Sequence, residues 1–172
     1  ITYAANVDNV HAANNTILAV EKDICDITEE DLGDYEYLVN FAAESHVDNS
    51  IKDGRPFVRS NVEGTFNLLE LARKNSNLKK FIQISTDEVY GNMDDYDKTV
   101  LANESFPLVG SSYYSSTKAS ADLLVQAAGR TYGLPYLITR TCNNFGVNQN
   151  KEKFIPTIFN CINNDIEIPI YG

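Results

Sequence analysis

A chain of 172 residues can bury one hydrophobic core, and 43% hydrophobic with 22% charged residues is ordinary for a globular protein. A formal net charge of −10 repels phosphate backbones and anionic lipids, which argues against nucleic-acid and membrane partners but not against a nucleotide held by local N–H groups. No apolar run approaches the roughly 20 residues of a membrane helix and no signal-like segment opens the chain, so the expected location is cytoplasmic.

Short β-branched or aromatic runs alternate with longer amphipathic stretches, the pattern of βαβ units around a parallel sheet. Strands are expected at 1–4, 17–21, 37–41, 80–85 and 136–141. Thr28 is a candidate N-cap, followed by Glu29, Glu30 and Asp31 where a helix dipole favours acids. Pro56 suits a first helical position, and Val58, Val62, Thr65, Leu69 and Ala72 then recur at helical spacing to about Lys74. The segment 92–110 is polar and irregular, either a lid or substrate loop or a solvated excursion. A further helix is expected over 113–132, stopped by Gly133 with Pro135 just beyond, and a last one from Pro156 toward Asn163.

No G-x-G-x-x-G turn occurs near the N-terminus, where a dinucleotide-binding domain normally carries one. The chain opens inside what reads as a strand and closes at 168–172 in what reads as the start of another. A fragment truncated at both ends is therefore expected. Cys25, Cys142, Cys161, His11 and His46 have neither metal-ligand nor disulfide spacing, so no metal is expected. Cys25 and Cys161 are expected to be small buried hydrophobes.

Two segments carry chemistry. In Tyr114-Ser115-Ser116-Thr117-Lys118 the phenol and the ammonium stand at i and i+4, on one helix face. An ammonium near a phenol favours the phenolate and is expected to lower its pKa, giving a base near neutral pH. Tyr113 is off this spacing and is expected to face elsewhere. By itself a Tyr-x-x-x-Lys spacing is weak, since surface pairs match it often. Upstream, an apolar run from Phe81 to Ile84 ends in Ser85, Thr86, Asp87 and Glu88. At the C-terminal end of a parallel strand these residues would face the ligand crevice. Two carboxylates in one site are pushed apart in pKa, so one can act as acid and the other as base. A turn with solvated acids is the plainer alternative.

Together these segments resemble the extended short-chain dehydrogenase/reductases that modify nucleotide sugars. Within them they resemble the nucleoside-diphosphate-glucose 4,6-dehydratases, nearest to the dTDP-glucose branch. The resemblance also runs through Asp23-Ile24-Cys25-Asp26, 41–48, Asn61-Val62-Glu63-Gly64-Thr65, 131–135, Asn143-Asn144-Phe145-Gly146 and 152–156. It implies an α/β, Rossmann-like doubly wound parallel sheet that lacks the first βα unit and most of the C-terminal substrate region. Residues 1–172 would be a partial NAD-binding domain, with the substrate region beginning near 143–172.

The resemblance also implies roles. Tyr114 would take the proton of the sugar 4-hydroxyl, Lys118 would lower its pKa and bind the nicotinamide ribose, and Thr86 would hydrogen-bond the 4-oxygen. Glu88 would remove the C5 proton and Asp87 would protonate the departing 6-hydroxyl. The cofactor, NAD, would be contacted by Thr2, Asp23, Ile24, Phe41, Ala42, Ala43, Ser60, Tyr114, Lys118 and Asn144. Substrate contacts would come from Ser45, Thr86, Asn143, Lys153, Phe154, Pro169 and Tyr171. His46 is read as structural. A homodimer through helices 56–74 and 113–132 is implied. The alternatives are a UDP-glucose 4,6-dehydratase, a related epimerase or decarboxylase, and a non-catalytic NAD-binding homologue. The acids at 87 and 88 argue against the epimerase.

Overall fold

The computed structural model describes residues 19–170. Three of the expected runs become strands: β1 (Tyr37–Asn40), β2 (Lys80–Thr86) and β3 (Tyr136–Thr141), all parallel, in the order β1-β2-β3. The register pairs Leu38 with Phe81, Asn40 with Gln83 and Thr86 with Thr141. The expected strand at 1–4 lies outside the described residues, as do Thr2 and Tyr171. For 17–21 the expectation fails over its described part, because residues 19–21 are exposed and in no strand.

Side chains alternate across each strand. Leu38 and Phe81 face the helices and form one core with Leu68, Leu69, Leu71, Ala72, Val125, Ala128 and Leu134. Burying such a Leu or Phe contributes about 1.5–3 kcal/mol each. On the opposite sheet face Tyr37, Val39 and Leu137 are exposed. Toward the C-terminal strand ends the helix-side face turns polar. Gln83 and Ser85 follow Phe81 on β2, and Asn40 follows Leu38 on β1, all buried.

The helix expected from Pro56 is interrupted. Arg55–Phe57 is α-helical, Val58–Glu63 is a π-helix, and Gly64–Lys74 is α-helical again. The π segment carries Asn61, 1% exposed. Its side chain accepts from Glu44 N at 2.9 Å and donates to Glu44 O at 3.0 Å and Thr117 Oγ1 at 3.0 Å. Apolar spacing cannot reveal such a bulge, because its partners lie far along the chain.

The helix Tyr113–Tyr132 has the expected limits. Ser112 and Ser115 cap it reciprocally: Ser115 N donates to Ser112 Oγ at 3.1 Å and Ser112 N to Ser115 Oγ at 2.9 Å. Gly133 ends it at φ +70°, a left-handed conformation that a side chain would strain. A short helix, Val47–Lys52, was not foreseen.

The segment 92–110 is largely exposed but is anchored on the fold at a few points. Met93, Ala102, Phe106 and Leu108 pack on Val89, Tyr90 and Ala119, and Phe106 stacks edge-on with both Tyr90 and Tyr96. Val109 N donates to Val89 O at 2.9 Å and closes the base of the loop. The chain divides into two compact units, Lys22–Cys142 and another to which Asn143–Gly172 belongs. The latter holds the helix Phe154–Asn163, which starts two residues before Pro156 and buries Cys161. Cys25 is only half-buried, its thiol donating to Arg59 O at 3.2 Å. Among the described residues no helix is long and apolar enough to cross a membrane.

Candidate active site

The residues with chemistry in the sequence meet at the C-terminal end of β2. The strand stops at Thr86, whose Oγ1 accepts from Glu88 N at 3.2 Å and so caps a single 3-10 turn, Asp87–Tyr90. That turn lifts Asp87 and Glu88, both half-buried, onto the rim. Thr86 Oγ1 also donates to Asp87 Oδ1 at 3.2 Å. The reciprocal Ser cap starts the neighbouring helix so that Tyr114, 9% exposed, points inward against Phe57, its ring 6.4 Å from the Phe57 ring. Tyr113 is 62% exposed and turns away, with Gly54 leaving space beneath its ring.

Tyr114 senses the rim. Burial pushes its phenol above the ordinary value; a hydrogen bond with Thr86 opposes this, while the charges of Glu88 and Asp87 reinforce it. The expected lowering is thus reversed. Lys118, expected to bring it down, is engaged elsewhere. Its Nζ, on a side chain 4% exposed, donates to Ile84 O at 2.6 Å. Burial lowers the Lys118 pKa, and Asp122 one turn further along opposes the change. Burial comes first in raising the Tyr114 phenol, and the two carboxylates add to it.

Cys142 gains a consequence that the sequence did not suggest. Thr86 and Thr141 are register partners, so Asp87 and Cys142 follow them side by side. The Cys142 thiol is held above its ordinary value, first by a hydrogen bond to Asp87 and then by the charge of that carboxylate. A cleft of about 860 Å³ along β3 is lined by Asp87, Glu88, Gly91, Glu104, Gln126 and Cys142 among others. Tyr114 and Lys118 do not line it. The acid pair borders both this cleft and the rim shared with Tyr114. Thr86, Asp87, Glu88 and Tyr114 are thus neighbours at this rim, apart from the bulk of the cleft.

Of the candidate cofactor residues, Asp23, Ile24, Phe41, Ala42, Ala43 and Ser60 belong to the same unit. The turn 41–46 follows β1. Asn40 Oδ1 accepts from Ala42 N at 3.1 Å, and Asn40 Nδ2 donates to Gln83 Oε1 at 2.9 Å and Thr65 Oγ1 at 3.2 Å. With Asn61 gripping Glu44, two buried amides fix this turn; sequence reading gave neither a role. Phe41, Ala42 and Ser45 are exposed. Asp23 caps the short 3-10 turn Ile24–Asp26, and its carboxyl is lowered first by Cys25 N–H. Asp23 Oδ2 also accepts from Arg59 Nε at 3.2 Å and Nη2 at 3.1 Å. Ser60 lies half-buried in the π segment. His46 precedes the helix Val47–Lys52, its Nδ1 buried with no hydrogen-bond partner among the described residues. In the other unit, Asn143, Asn144, Phe154 and Pro169 are exposed, and Lys153 stands at the N-cap of Phe154–Asn163.

Known proteins are similar to this chain in sequence and fold. The sequence profile of the GDP-mannose 4,6 dehydratase family matches residues 1–169. A low-salt glycan biosynthesis protein, Agl12, of Haloferax volcanii is 46% identical over 100% of this chain and 55% of its own length. A dTDP-glucose 4,6-dehydratase of Mycolicibacterium smegmatis is 42% identical over 91% of this chain and 47% of its own. Among solved structures, the dTDP-glucose 4,6-dehydratase DesIV of Streptomyces venezuelae, determined with NAD bound, superposes with a TM-score of 0.92 at 39% identity. It is matched over 100% of this chain and 53% of its own, and shares the Rossmann-like parallel architecture. The chain spans about half the length of the curated relatives it matches.

Proposed function

The chain belongs to the GDP-mannose 4,6 dehydratase family, and from that premise we propose that the protein dehydrates a nucleoside-diphosphate-glucose, dTDP-glucose foremost, to its 4-keto-6-deoxy sugar. One observation carries the reading: Thr86, Asp87 and Glu88 all act on the Tyr114 phenol, so a hydroxyl, two carboxylates and a phenol share one rim. An epimerase needs no acid and base across C5–C6; a dehydratase needs both.

The residues fit a dinucleotide. The strands are parallel, so their C-terminal ends lie along one edge of the sheet, where Ala42 and Ala43 follow β1 with small side chains, and Lys118 lies buried beneath the rim. The DesIV structure holds NAD. NAD bound here would supply a reversible two-electron acceptor, taking hydride from C4 and giving it back at C6, so that it would end the reaction unchanged. Phe41, Ala42, Ala43, Asp23, Ile24 and Ser60 would hold it, with Thr2 and Asn144.

The chain's own groups do the proton chemistry. Tyr114 takes the 4-hydroxyl proton, while Thr86 hydrogen-bonds the same oxygen. Because the phenol is raised, it needs a cation to become a base near neutral pH. Lys118 is the chain's own source, one helical turn away, once its ammonium leaves Ile84 O. The 4-ketone acidifies C5–H, and Glu88 accepts that proton and gives one back to C5 once C6 has been reduced. Asp87, set on the rim by the turn that Thr86 caps, enters this step as the carboxylic acid and protonates the departing 6-hydroxyl, which leaves as water. The sugar would rest on Ser45, Asn143, Lys153, Phe154, Pro169 and Tyr171, so the substrate region would begin near 143.

The test uses full-length protein with dTDP-glucose and UDP-glucose in separate incubations, following the alkali-induced absorbance of a 4-keto-6-deoxy sugar. We expect turnover of dTDP-glucose in preference to UDP-glucose. Absence of product from both would end the dehydratase reading, and a preference for UDP-glucose would overturn the choice of base.

A second copy is the partner inferred for the outer faces of helices 56–74 and 113–132. Val58, Phe66 and Leu123 are each roughly half exposed there, at 44%, 53% and 55%. Light scattering of the full-length protein is expected to give a dimer. A monomer at all concentrations would refute it.

A further inference from the structure

The proton chemistry leaves one buried charged pair unused. Asp122 is fully buried and the Arg140 side chain is 9% exposed. Arg140 Nε donates to Asp122 Oδ2 at 2.8 Å. Its Nη1 donates to Tyr90 OH at 3.1 Å and to Glu104 O at 3.2 Å. The guanidinium also lies 5.2 Å over the Tyr90 ring. Burial pushes the Asp122 carboxyl upward against the pull of Arg140, Ser85 and Lys118. The Ser85 hydroxyl stands beside it without closing a full hydrogen bond.

Each end of this pair belongs to a different half of the site. Asp122 is four residues beyond Lys118 and eight beyond Tyr114, on the same stripe of the same helix. Tyr90 closes the 3-10 turn that presents Asp87 and Glu88. Glu104 belongs to the 92–110 loop that walls the cleft beside those acids. One guanidinium thus touches the helix, the acidic turn and the loop.

Stability is a poor explanation for such a pair. Desolvating two charges costs about what their attraction returns, and apolar side chains of equal volume would join helix to strand as well. A planar fork of donors adds direction, since it fixes three partners at set angles. We propose that Arg140, anchored by Asp122, is a positioning residue that sets the Asp87–Glu88 turn against the Tyr114–Lys118 helix. This rests on the dehydratase reading given above. Tyr114 and Thr86 are placed independently, by the Ser112 cap, by Phe57 and by the sheet. Loosening Arg140 therefore disturbs elimination across C5–C6 more than proton transfer at the 4-hydroxyl.

The test compares full-length wild type with Arg140→Lys and Tyr90→Phe. Lysine keeps the charge and one bond to Asp122 but cannot also hold Tyr90 and Glu104; phenylalanine removes one acceptor and keeps the ring. In Arg140→Lys, solvent deuterium entry at C5 and product formation are expected to fall about tenfold, with KM and formation of reduced cofactor within about twofold. Tyr90→Phe is expected to change in the same sense by about threefold. Amide hydrogen exchange, measured without substrate, is expected to quicken in 87–106 and to stay unchanged in the helix Tyr113–Tyr132. Equal loss of both chemical steps with exchange raised throughout would mean a merely structural pair, and wild-type behaviour of both variants would remove the role altogether. If wild type itself forms no keto sugar, the dehydratase reading fails, while the exchange pattern still decides whether Arg140 holds the turn and the loop.

Discussion

Replacing Glu88 by Gln is expected to slow dehydration by about 10²–10⁴-fold, the range for removal of a general base, while the 4-hydroxyl is still oxidised. Glutamine preserves volume and the turn, whose cap comes from Thr86 Oγ1 rather than from the residue-88 side chain. It removes the one group assigned to the C5 proton. Solvent deuterium should then fail to enter C5, and reduced cofactor should accumulate in near-ultraviolet absorbance. The variant also has an electrostatic signature. The Glu88 charge raises the Tyr114 phenol, so neutralising it lets that phenol ionise at lower pH. The pH dependence of the oxidation step should move downward. Normal dehydration by Glu88→Gln would assign the C5 proton to another base.

Tyr114→Phe is expected to remove both oxidation and dehydration, again by about 10²–10⁴-fold, because elimination waits for the 4-ketone. The ring keeps its edge-on contact with Phe57, so the loss reports the hydroxyl and not the packing. Tyr113→Phe is the matched control. That ring is exposed, and its hydroxyl loss is expected to change rates by no more than about twofold, as for surface substitutions generally. Stopped-flow measurement of cofactor reduction under single turnover separates the two. A deep loss in Tyr113→Phe with Tyr114→Phe near wild type would transfer the role to the neighbouring residue.

Much of this protein could be read locally. The limits of the helix Tyr113–Tyr132 follow from a serine cap, a left-handed glycine and a proline, all within a few residues of its ends. The three parallel strands follow from short apolar runs separated by helical stretches. The common location of Thr86, Asp87 and Glu88 follows from a strand that runs out into polar residues. Tyr114 and Lys118 were legible because a helix turns a spacing of four into one face.

Signals carried by distant partners were not legible. The π segment that aims Asn61 at Glu44 and Thr117 depends on residues 17 and 56 positions away. Arg140 and Asp122 are 18 residues apart and meet because helix and strand pack side by side. Cys142 meets Asp87 only because β2 and β3 share a register. The 92–110 segment looks soluble in composition, yet a few apolar residues, Phe106 among them, dock it on Tyr90.

The sequence by itself determined which groups are present and which short-range geometry they adopt, since caps, turns and helical spacing are set by neighbours in the chain. Tertiary structure alone decided which way the Tyr114 and Lys118 pKa values move. Burial and the approach of Asp87 and Glu88 push the Tyr114 phenol up, and Ile84 O holds the ammonium expected to bring it down. Those are effects of dielectric and distance, and both arise only when strand, turn and helix are packed together.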